Sequence, residues 1–184
     1  MIKLDHVSMA YGEKRILLDF SLSLPAPGHY ALLGPSGRGK TTLLRLIAGL
    51  ERPQRGTISL PENARIAFCF QEDRLLPWKT VLENIVLVCN DSQKAKYWIE
   101  RVGLFGEENS YPSSLSGGMK RRASLARALA YDGDVLLMDE PFRALDEATH
   151  AQMLALVREA AKDKLLILVT HDETDADGMQ IIRL

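Results

Sequence analysis

Residues 34–41 read Gly-Pro-Ser-Gly-Arg-Gly-Lys-Thr and match the phosphate-binding loop pattern GxxxxGK[ST]. A short apolar run over residues 29–33 precedes the loop, and Leu43 and Leu44 begin an apolar helical stripe after it. The pattern thus lies between a predicted strand and a predicted helix, the context that it requires. Glycines let successive backbone N–H groups converge on phosphate oxygens, and the helix N-terminus adds a favourable dipole. The stretch therefore predicts a site for a nucleoside triphosphate.

Two side chains of the loop have specific candidate roles. Lys40 can neutralise charge on the β- and γ-phosphates, and the Thr41 hydroxyl can bind Mg²⁺. The loop alone fits kinases, GTPases and many ATPases, and a glycine-rich turn with a chance lysine is the alternative interpretation. The nucleotide-binding candidates here are Gly34, Pro35, Ser36, Gly37, Arg38, Gly39, Lys40, Thr41 and Thr42.

A pair of carboxylates follows a second apolar strand candidate, Val135 to Met138. Open parallel sheets bind ligands at their carboxyl ends, so Asp139 and Glu140 are expected at such an edge. Asp139 can orient Mg²⁺, and Glu140 can accept a proton from an attacking water or position it. The alternative is that the pair merely starts a turn before Pro141. His171 also ends an apolar strand, although a lone histidine there is more often structural.

The segment Leu-Ser-Gly-Gly-Met at residues 115–119 makes the prediction specific. Together with the phosphate loop, the Met-Asp-Glu-Pro segment and His171, it resembles the nucleotide-binding subunit of ABC transporters. The resemblance covers the whole chain, with the motifs in the expected order. Ser116, Gly117 and Gly118 are small residues that open a helix, which suits contact with a phosphate. A plain helix N-cap is the alternative for these three residues alone.

The resemblance implies roles for further residues. Tyr11 is similar to the aromatic residue that stacks on adenine, and Gln71 to the glutamine that reaches Mg²⁺ and water. Ser116 to Gly118 resemble the signature that contacts the γ-phosphate in the opposite subunit. Asp146 is similar to the aspartate of the loop that crosses the dimer interface, and His171 to the switch histidine at the γ-phosphate.

The same resemblance implies an activity: MgATP hydrolysis by a homodimer that closes on ATP. Two segments, QEDRLLPWKTVLENI at residues 71–85 and DEPFRALD at residues 139–146, resemble those of importer subunits for nitrate, taurine, alkanesulfonates or thiamine-precursor pyrimidines. The implied partners are a transmembrane permease, which would bind a helical insert at about residues 77–130, and a solute-binding protein. The resemblance also implies that the chain lies at the cytoplasmic face of the inner membrane. Alternatives are an exporter or non-transport ABC ATPase, or a nucleotide-dependent regulatory binding module without turnover.

Strands that alternate with helices predict an α/β domain with a largely parallel sheet, and the resemblance implies a single P-loop NTPase domain of the ABC type over residues 1–184. It has a mostly parallel core sheet, an N-terminal antiparallel β part and a small helical subdomain inserted at about 77–130. Strands are predicted at 2–10, 18–24, 29–33, 56–60, 66–70, 135–138 and 165–170, and helices after the phosphate loop and at 80–88, 92–102, 117–130 and 147–162.

Composition excludes several other classes. The 23 Lys and Arg against 24 Asp and Glu give a net charge of -1, so no basic excess favours nucleic acid. Cys69 and Cys89 lack metal-ligand spacing and are expected to be buried, reduced thiols, with a chance disulfide as the alternative. No apolar run is long enough to span a bilayer. Because the chain ends soon after His171, we also expect no regulatory domain.

Three residues depart from the pattern that the resemblance sets. Met119 stands where the signature usually has Gln, but the phosphate contacts come mainly from the serine hydroxyl and the glycine backbone, so activity is expected to survive. Arg38 and Arg143 stand where small residues are common. The sequence leaves two roles open for Arg38, tighter ATP binding or a solvent-facing charge.

Overall fold

The computed structural model describes all 184 residues. It contains eight strands and five helices of regular α type. The strands are β1 (Ile2–Tyr11), β2 (Lys14–Leu24), β3 (Gly28–Leu33), β4 (Arg55–Ser59), β5 (Ile66–Cys69), β6 (Val135–Asp139), β7 (Leu165–Val169) and β8 (Gln180–Arg183). The helices are α1 (Lys40–Ile47), α2 (Val81–Cys89), α3 (Ser92–Arg101), α4 (Gly117–Tyr131) and α5 (Glu147–Ala160).

A parallel five-stranded sheet forms the core, in the order β5-β6-β7-β3-β8. Every residue of β6 and of β7 is buried, as expected for parallel strands covered on both faces. Because all five strands run the same way, their carboxyl ends lie at one edge. The phosphate loop after β3, the acid pair at the end of β6 and His171 after β7 consequently share that edge.

An antiparallel three-stranded sheet, β2-β1-β4, forms the N-terminal part. In β1 the side chains of Ile2, Leu4 and Val7 are fully buried while their neighbours are more exposed. These residues pack with Leu43 and Leu44 of α1 in one hydrophobic cluster. The predicted combination of a mostly parallel core sheet and an N-terminal antiparallel part is confirmed.

Helices α2, α3 and α4 pack against one another in the middle of the chain. Val81, Ile85, Ala95 and Ile99 are fully buried and join α4 in a second hydrophobic cluster. The buried Asn84 amide is satisfied, because it donates to the carbonyls at 76, 79 and 80 and accepts from the N–H of residue 76. No helix of the chain combines the length and the apolar character needed to cross a bilayer.

The structure corrects several details expected from the sequence. Strand β2 begins at Lys14, four residues before the predicted start, because it pairs with β1 directly after a tight turn. Helix α5 ends at Ala160 rather than at Lys162. Strand β8 was not predicted, since its side chains are at most half-buried and give no apolar run. Both cysteines are free, but only Cys69 is buried.

Candidate functional site

A cleft of about 320 Å³ lies between the phosphate loop and the sheet edge. It joins parts of the chain that are far apart in sequence, from the end of β1 to the residues after β7. Its lining is Tyr11, Lys14, Ile16, Ser36, Gly37, Gly39, Lys40, Thr41, Thr42, Gln71, Glu140, Val169 and His171. Most of the site residues predicted from the sequence thus meet around one cavity.

Gly39 shapes the phosphate loop where α1 begins. Its φ of 95° is in the left-handed region that disfavours other residues. A Cβ atom built there would lie 2.5 Å from Cγ2 of Ile16, so both the backbone and the available space require glycine. The loop therefore packs against β2, and Lys40 becomes the first residue of α1.

The Lys40 side chain is buried beneath the phosphate loop. Its Nζ donates to the carbonyl oxygens of Gly34, at 2.6 Å, and Pro35, at 3.0 Å. Burial lowers the pKa of Lys40, and the negative charges of Glu140 and Asp139 oppose that shift. Phosphate oxygens would be stronger acceptors for this cation than neutral carbonyls are, so the side chain is poised for an anionic ligand.

Asp139 is a buried carboxylate with an unused acceptor. Its side chain is 1% exposed, and its Oδ1 has no hydrogen-bond partner. Burial raises the pKa of Asp139, and the hydroxyl of Thr41 is the main group that opposes the shift. A buried oxygen without a partner costs free energy, and a cation beside it would offset that cost.

Glu140 lies at the centre of a three-residue arrangement. Its Oε1 is 2.8 Å from Nε2 of His171, and its Oε2 accepts a hydrogen bond of 3.1 Å from Nε2 of Gln71. Its backbone has a φ of 47°, an uncommon left-handed value, and its N–H donates to the carbonyl of Val169. The backbone turn at Glu140 separates the two acids, since Asp139 is buried while Glu140 lines the cleft.

Tyr11 lies at the rim of the same cleft, with nearly half of its side chain exposed. Its hydroxyl donates to Glu51, which is also 3.5 Å from the guanidinium of Arg45 on α1. Burial and the hydrogen bond to Glu51 both raise the pKa of Tyr11. The phenol is therefore neutral at physiological pH, and the ring is held by its hydroxyl.

The remaining predicted residues lie outside the cleft. Ser116 caps α4, where its Oγ accepts the N–H of Met119 at 3.2 Å, and the two following glycines begin the helix. Asp146 caps α5, and its carboxylate accepts from both the N–H and the hydroxyl of Thr149. Arg38 is exposed at the tip of the phosphate loop. Within one chain, neither the signature nor Asp146 faces the phosphate loop across this cavity.

Several polar residues near the site were not predicted from the sequence. Asp175 is buried, lies 2.5 Å from Nε2 of His150 and accepts a 2.6 Å hydrogen bond from the Thr170 hydroxyl. This group lines a second cavity, of about 240 Å³, together with Glu140 and His171. Arg121 binds the backbone beside Gln71 and Glu140. Neither group belongs to a short motif, so spacing along the chain gave no signal for them.

The fold and the cleft together define the class of protein to which this chain belongs. A glycine-rich loop between a parallel strand and a helix, with an acid pair at the same sheet edge, is the arrangement of a P-loop nucleotide-binding domain. The family model described as ABC transporter matches residues 17–143. The chain belongs to that family, as the motifs had predicted.

Comparisons with individual proteins agree with this assignment. The chain is 42% identical over 185 residues to aliphatic sulfonates import ATP-binding protein SsuB 1 of Rhodococcus jostii (strain RHA1), covering 96% of this chain and 76% of that protein. The corresponding SsuB protein of Granulibacter bethesdensis is 45% identical over 182 residues, with 96% and 75% covered.

Solved ABC cassettes have the same fold. A post-hydrolysis dimer of the ATP-binding cassette MJ0796 bound to ADP and Pi superposes with a TM-score of 0.94 at 29% identity, covering 100% of this chain and 94% of that one. A second dimeric structure of MJ0796, described as a bacterial ABC transporter cassette, gives a TM-score of 0.92 at 30% identity.

Proposed function

We propose that this chain is the ATP-hydrolysing subunit of a bacterial ABC importer, and that its cargo belongs to the aliphatic sulfonate class named for its relatives. The observation that carries the ATPase proposal is the Glu140 carboxylate, held between His171 and Gln71 at the cleft that Lys40 enters from the phosphate loop. The cargo class is supported by sequence identity alone, because the ATPase has no need to contact the cargo.

In this proposal Glu140 positions the attacking water and takes its proton. Water would insert between the carboxylate and the γ-phosphate, with His171 and Gln71 as the neighbouring polar groups. Lys40 would leave its two carbonyl partners for the phosphate oxygens, while the backbone N–H groups from Gly37 to Thr41 surround the phosphates. Tyr11 would stack on adenine.

The donor set beside the phosphate loop fits Mg²⁺. The carboxylate of Asp139, which has a free buried oxygen, the hydroxyl of Thr41 and the amide oxygen of Gln71 are hard oxygen ligands. No group of three or more His, Cys, Asp or Glu side chains is placed to hold a metal by itself. Mg²⁺ in nucleotide sites keeps several waters and phosphate oxygens, so few protein ligands are needed. Bound there, the ion would neutralise phosphate charge.

A second copy of the chain would complete each site. A Cβ atom at Gly117 would meet nothing within 4 Å, and one at Gly118 would make only ordinary contacts. Neither glycine has a positive φ. The chain's own packing therefore does not require glycine here, which supports close approach by a ligand from outside. We infer that this ligand is the γ-phosphate of ATP bound to a partner subunit, with Asp146 in the loop between the two sites.

The permease is proposed to dock on the helical insert at about 77–130. Large apolar side chains are exposed in and beside it: Trp78 is 70% exposed, Leu87 60% and Phe105 83%. Exposed apolar groups of this size typically mark interaction surfaces. Binding there would hold the subunit peripherally at the cytoplasmic face of the inner membrane. A solute-binding protein would complete the transport system on the other side.

Steady-state phosphate release from MgATP tests the proposed activity. We expect turnover by the wild-type chain and at least about a 100-fold loss in Glu140→Gln, the scale of a lost general base, with ATP binding retained. Glu100→Gln, an exposed carboxylate on α3, is the control and should keep wild-type turnover. ATP binding without any turnover by the wild type would instead favour a regulatory binding module.

A further inference from the structure

Arg121, in the second turn of α4, is one of the few buried cations of the protein. Its guanidinium donates to five backbone carbonyls and also lies 3.4 Å from the Asp73 carboxylate. The carbonyl partners are Phe70 at 2.6 Å, Gln71 at 3.2 Å, Asp139 at 3.0 Å, Glu140 at 2.5 Å and Pro141 at 2.9 Å. A guanidinium has five N–H donors in one plane, so this side chain uses its bonding capacity fully.

The acceptors come from two segments that follow adjacent parallel strands. Phe70 and Gln71 follow β5, and Asp139 ends β6, which pairs with β5. Here the ladder between the strands stops, and the carbonyls of both segments turn toward the same side chain. Beyond the last paired residues of β5 and β6, the Arg121 guanidinium therefore connects the two segments by donating hydrogen bonds to carbonyls of both. No other side chain donates hydrogen bonds to backbone carbonyls of both segments.

These two segments carry the side chains that meet in the cleft. Gln71 and Glu140 are in hydrogen-bond contact, and both of their own carbonyls accept from Arg121. Glu140 also has the uncommon φ of 47°, which persists only where surrounding contacts hold it. A bond from Arg121 to the Glu140 carbonyl is one such contact. The orientation of the carboxylate is therefore coupled to the guanidinium.

We infer that Arg121 is a positioning residue for ATP hydrolysis: it fixes the backbone of Gln71 and Glu140 relative to each other and to α4, the helix that Ser116 caps. The inference rests on the proposed function. In that function, Ser116 serves the partner's nucleotide, while Glu140 serves the chain's own. Arg121 lies five positions after Ser116, which caps α4, so the first turn of this helix transmits movement of the signature on dimer closure to the Glu140 carboxylate.

Arg122 provides a matched control for a merely structural role. It is the next residue on the same helix and also donates to two backbone carbonyls, Val102 at 2.8 Å and Gly103 at 2.7 Å. Both acceptors lie just beyond α3, away from the cleft. Arg122→Met therefore removes a cation and backbone hydrogen bonds from α4 without touching the segments that carry Gln71 and Glu140.

The test compares steady-state ATPase kinetics of Arg121→Met, Arg121→Gln and Arg122→Met with the wild type. We expect Arg121→Met to lower kcat at least about tenfold with KM for ATP within about twofold, since the phosphate loop is untouched. Arg121→Gln keeps two N–H donors and should recover part of kcat. Arg122→Met should keep kcat near wild type. Equal kcat in Arg121→Met and Arg122→Met would overturn the inference.

Hydrogen–deuterium exchange supplies a readout that does not depend on turnover. In Arg121→Gln, amides over 70–73 and 139–143 should exchange at least about tenfold faster than in wild type, and in Arg122→Met they should not. If the wild type shows no ATPase activity, the proposed function fails, and this exchange pattern alone decides whether Arg121 holds the two segments. If Arg121→Met does not fold, Arg121→Gln is used for both the kinetic and the exchange comparison. Wild-type kcat together with wild-type exchange rates in Arg121→Gln would then reject the inference.

Discussion

Asp139 shows at the residue scale how a binding site can reduce the stability of its own fold. The sequence predicted that Asp139 and Glu140 would serve different roles, and the backbone turn at Glu140 does give them different surroundings. Asp139 is buried beside Thr41 with one oxygen unpaired. Natural sites commonly retain such unfavourable groups because the ligand needs them.

Asp139→Asn is accordingly expected to stabilise the nucleotide-free chain. Burial raises the pKa of Asp139 in the folded protein above its pKa in the unfolded chain. The ionised carboxylate therefore lowers the free energy of unfolding at pH values above the raised pKa, and this loss disappears as the pH falls below the pKa of the unfolded chain. We expect Tm to rise by about 2–4 °C at pH 7, equivalent to about 1 kcal/mol in a chain of this size. The gain should shrink toward about pH 4.

Thermal unfolding at several pH values, without nucleotide or Mg²⁺, checks this prediction. Asp163→Asn, at an exposed position, is the control and should not change Tm. The same Asp139→Asn variant should lose Mg²⁺-dependent ATPase activity. A lower Tm at pH 7 in Asp139→Asn would show that the carboxylate stabilises the free protein.

At the scale of elements, two helices begin with hydroxyl caps that have different expected roles. Thr80 caps α2 in a capping box with Glu83, in which each side chain accepts the other residue's N–H. Ser116 caps α4 by accepting a single N–H. The sequence suggested a cap and a phosphate contact as alternatives for Ser116, and the structure shows the cap.

Replacing each cap by alanine separates the two roles. Thr80→Ala and Ser116→Ala should each lower the unfolding free energy by about 1 kcal/mol, or about 2–4 °C in Tm. Only Ser116→Ala should also lower kcat, by about 10- to 100-fold, the range for one hydrogen bond to a charged group. Calorimetry and phosphate release measure the two effects. Wild-type kcat in Ser116→Ala would leave Ser116 as a helix cap alone.

At the scale of the whole molecule, the cleft of one chain contains only part of the proposed site. The signature residues open α4 on a surface that does not line the cavity around the phosphate loop. Two solved structures of one similar cassette, MJ0796, are described as dimeric. The molecule is therefore expected to reach its hydrolytic state only as a pair.

The mass in solution of Glu140→Gln, with and without MgATP, tests this expectation. Blocked hydrolysis should trap the closed pair, so the 20.5 kDa chain should double in mass with MgATP and remain monomeric without it. Adding Lys40→Met to the variant removes the phosphate-binding cation and should abolish the shift. A monomer that still binds ATP at saturation would count against a sandwich formed by this chain alone.

Short-range patterns in the sequence by themselves determine much of this protein. The phosphate loop, the apolar strands β6 and β7 and the hydroxyl at the start of α4 each depend on neighbours within a few residues. The common direction of strands joined by helices then predicts that the loop, the acid pair and His171 share one sheet edge. Even the family can be inferred, because its motifs are contiguous and occur in a fixed order.

Contacts between distant segments were decided only by the tertiary structure. The Glu140 carboxylate meets groups 69 and 31 residues away, and its left-handed backbone leaves no trace in local composition. Arg121 looks like one basic residue among several on α4, yet its position makes it the partner of five carbonyls. Strand order and side-chain direction set these distances, and neither is encoded within the span of a single element.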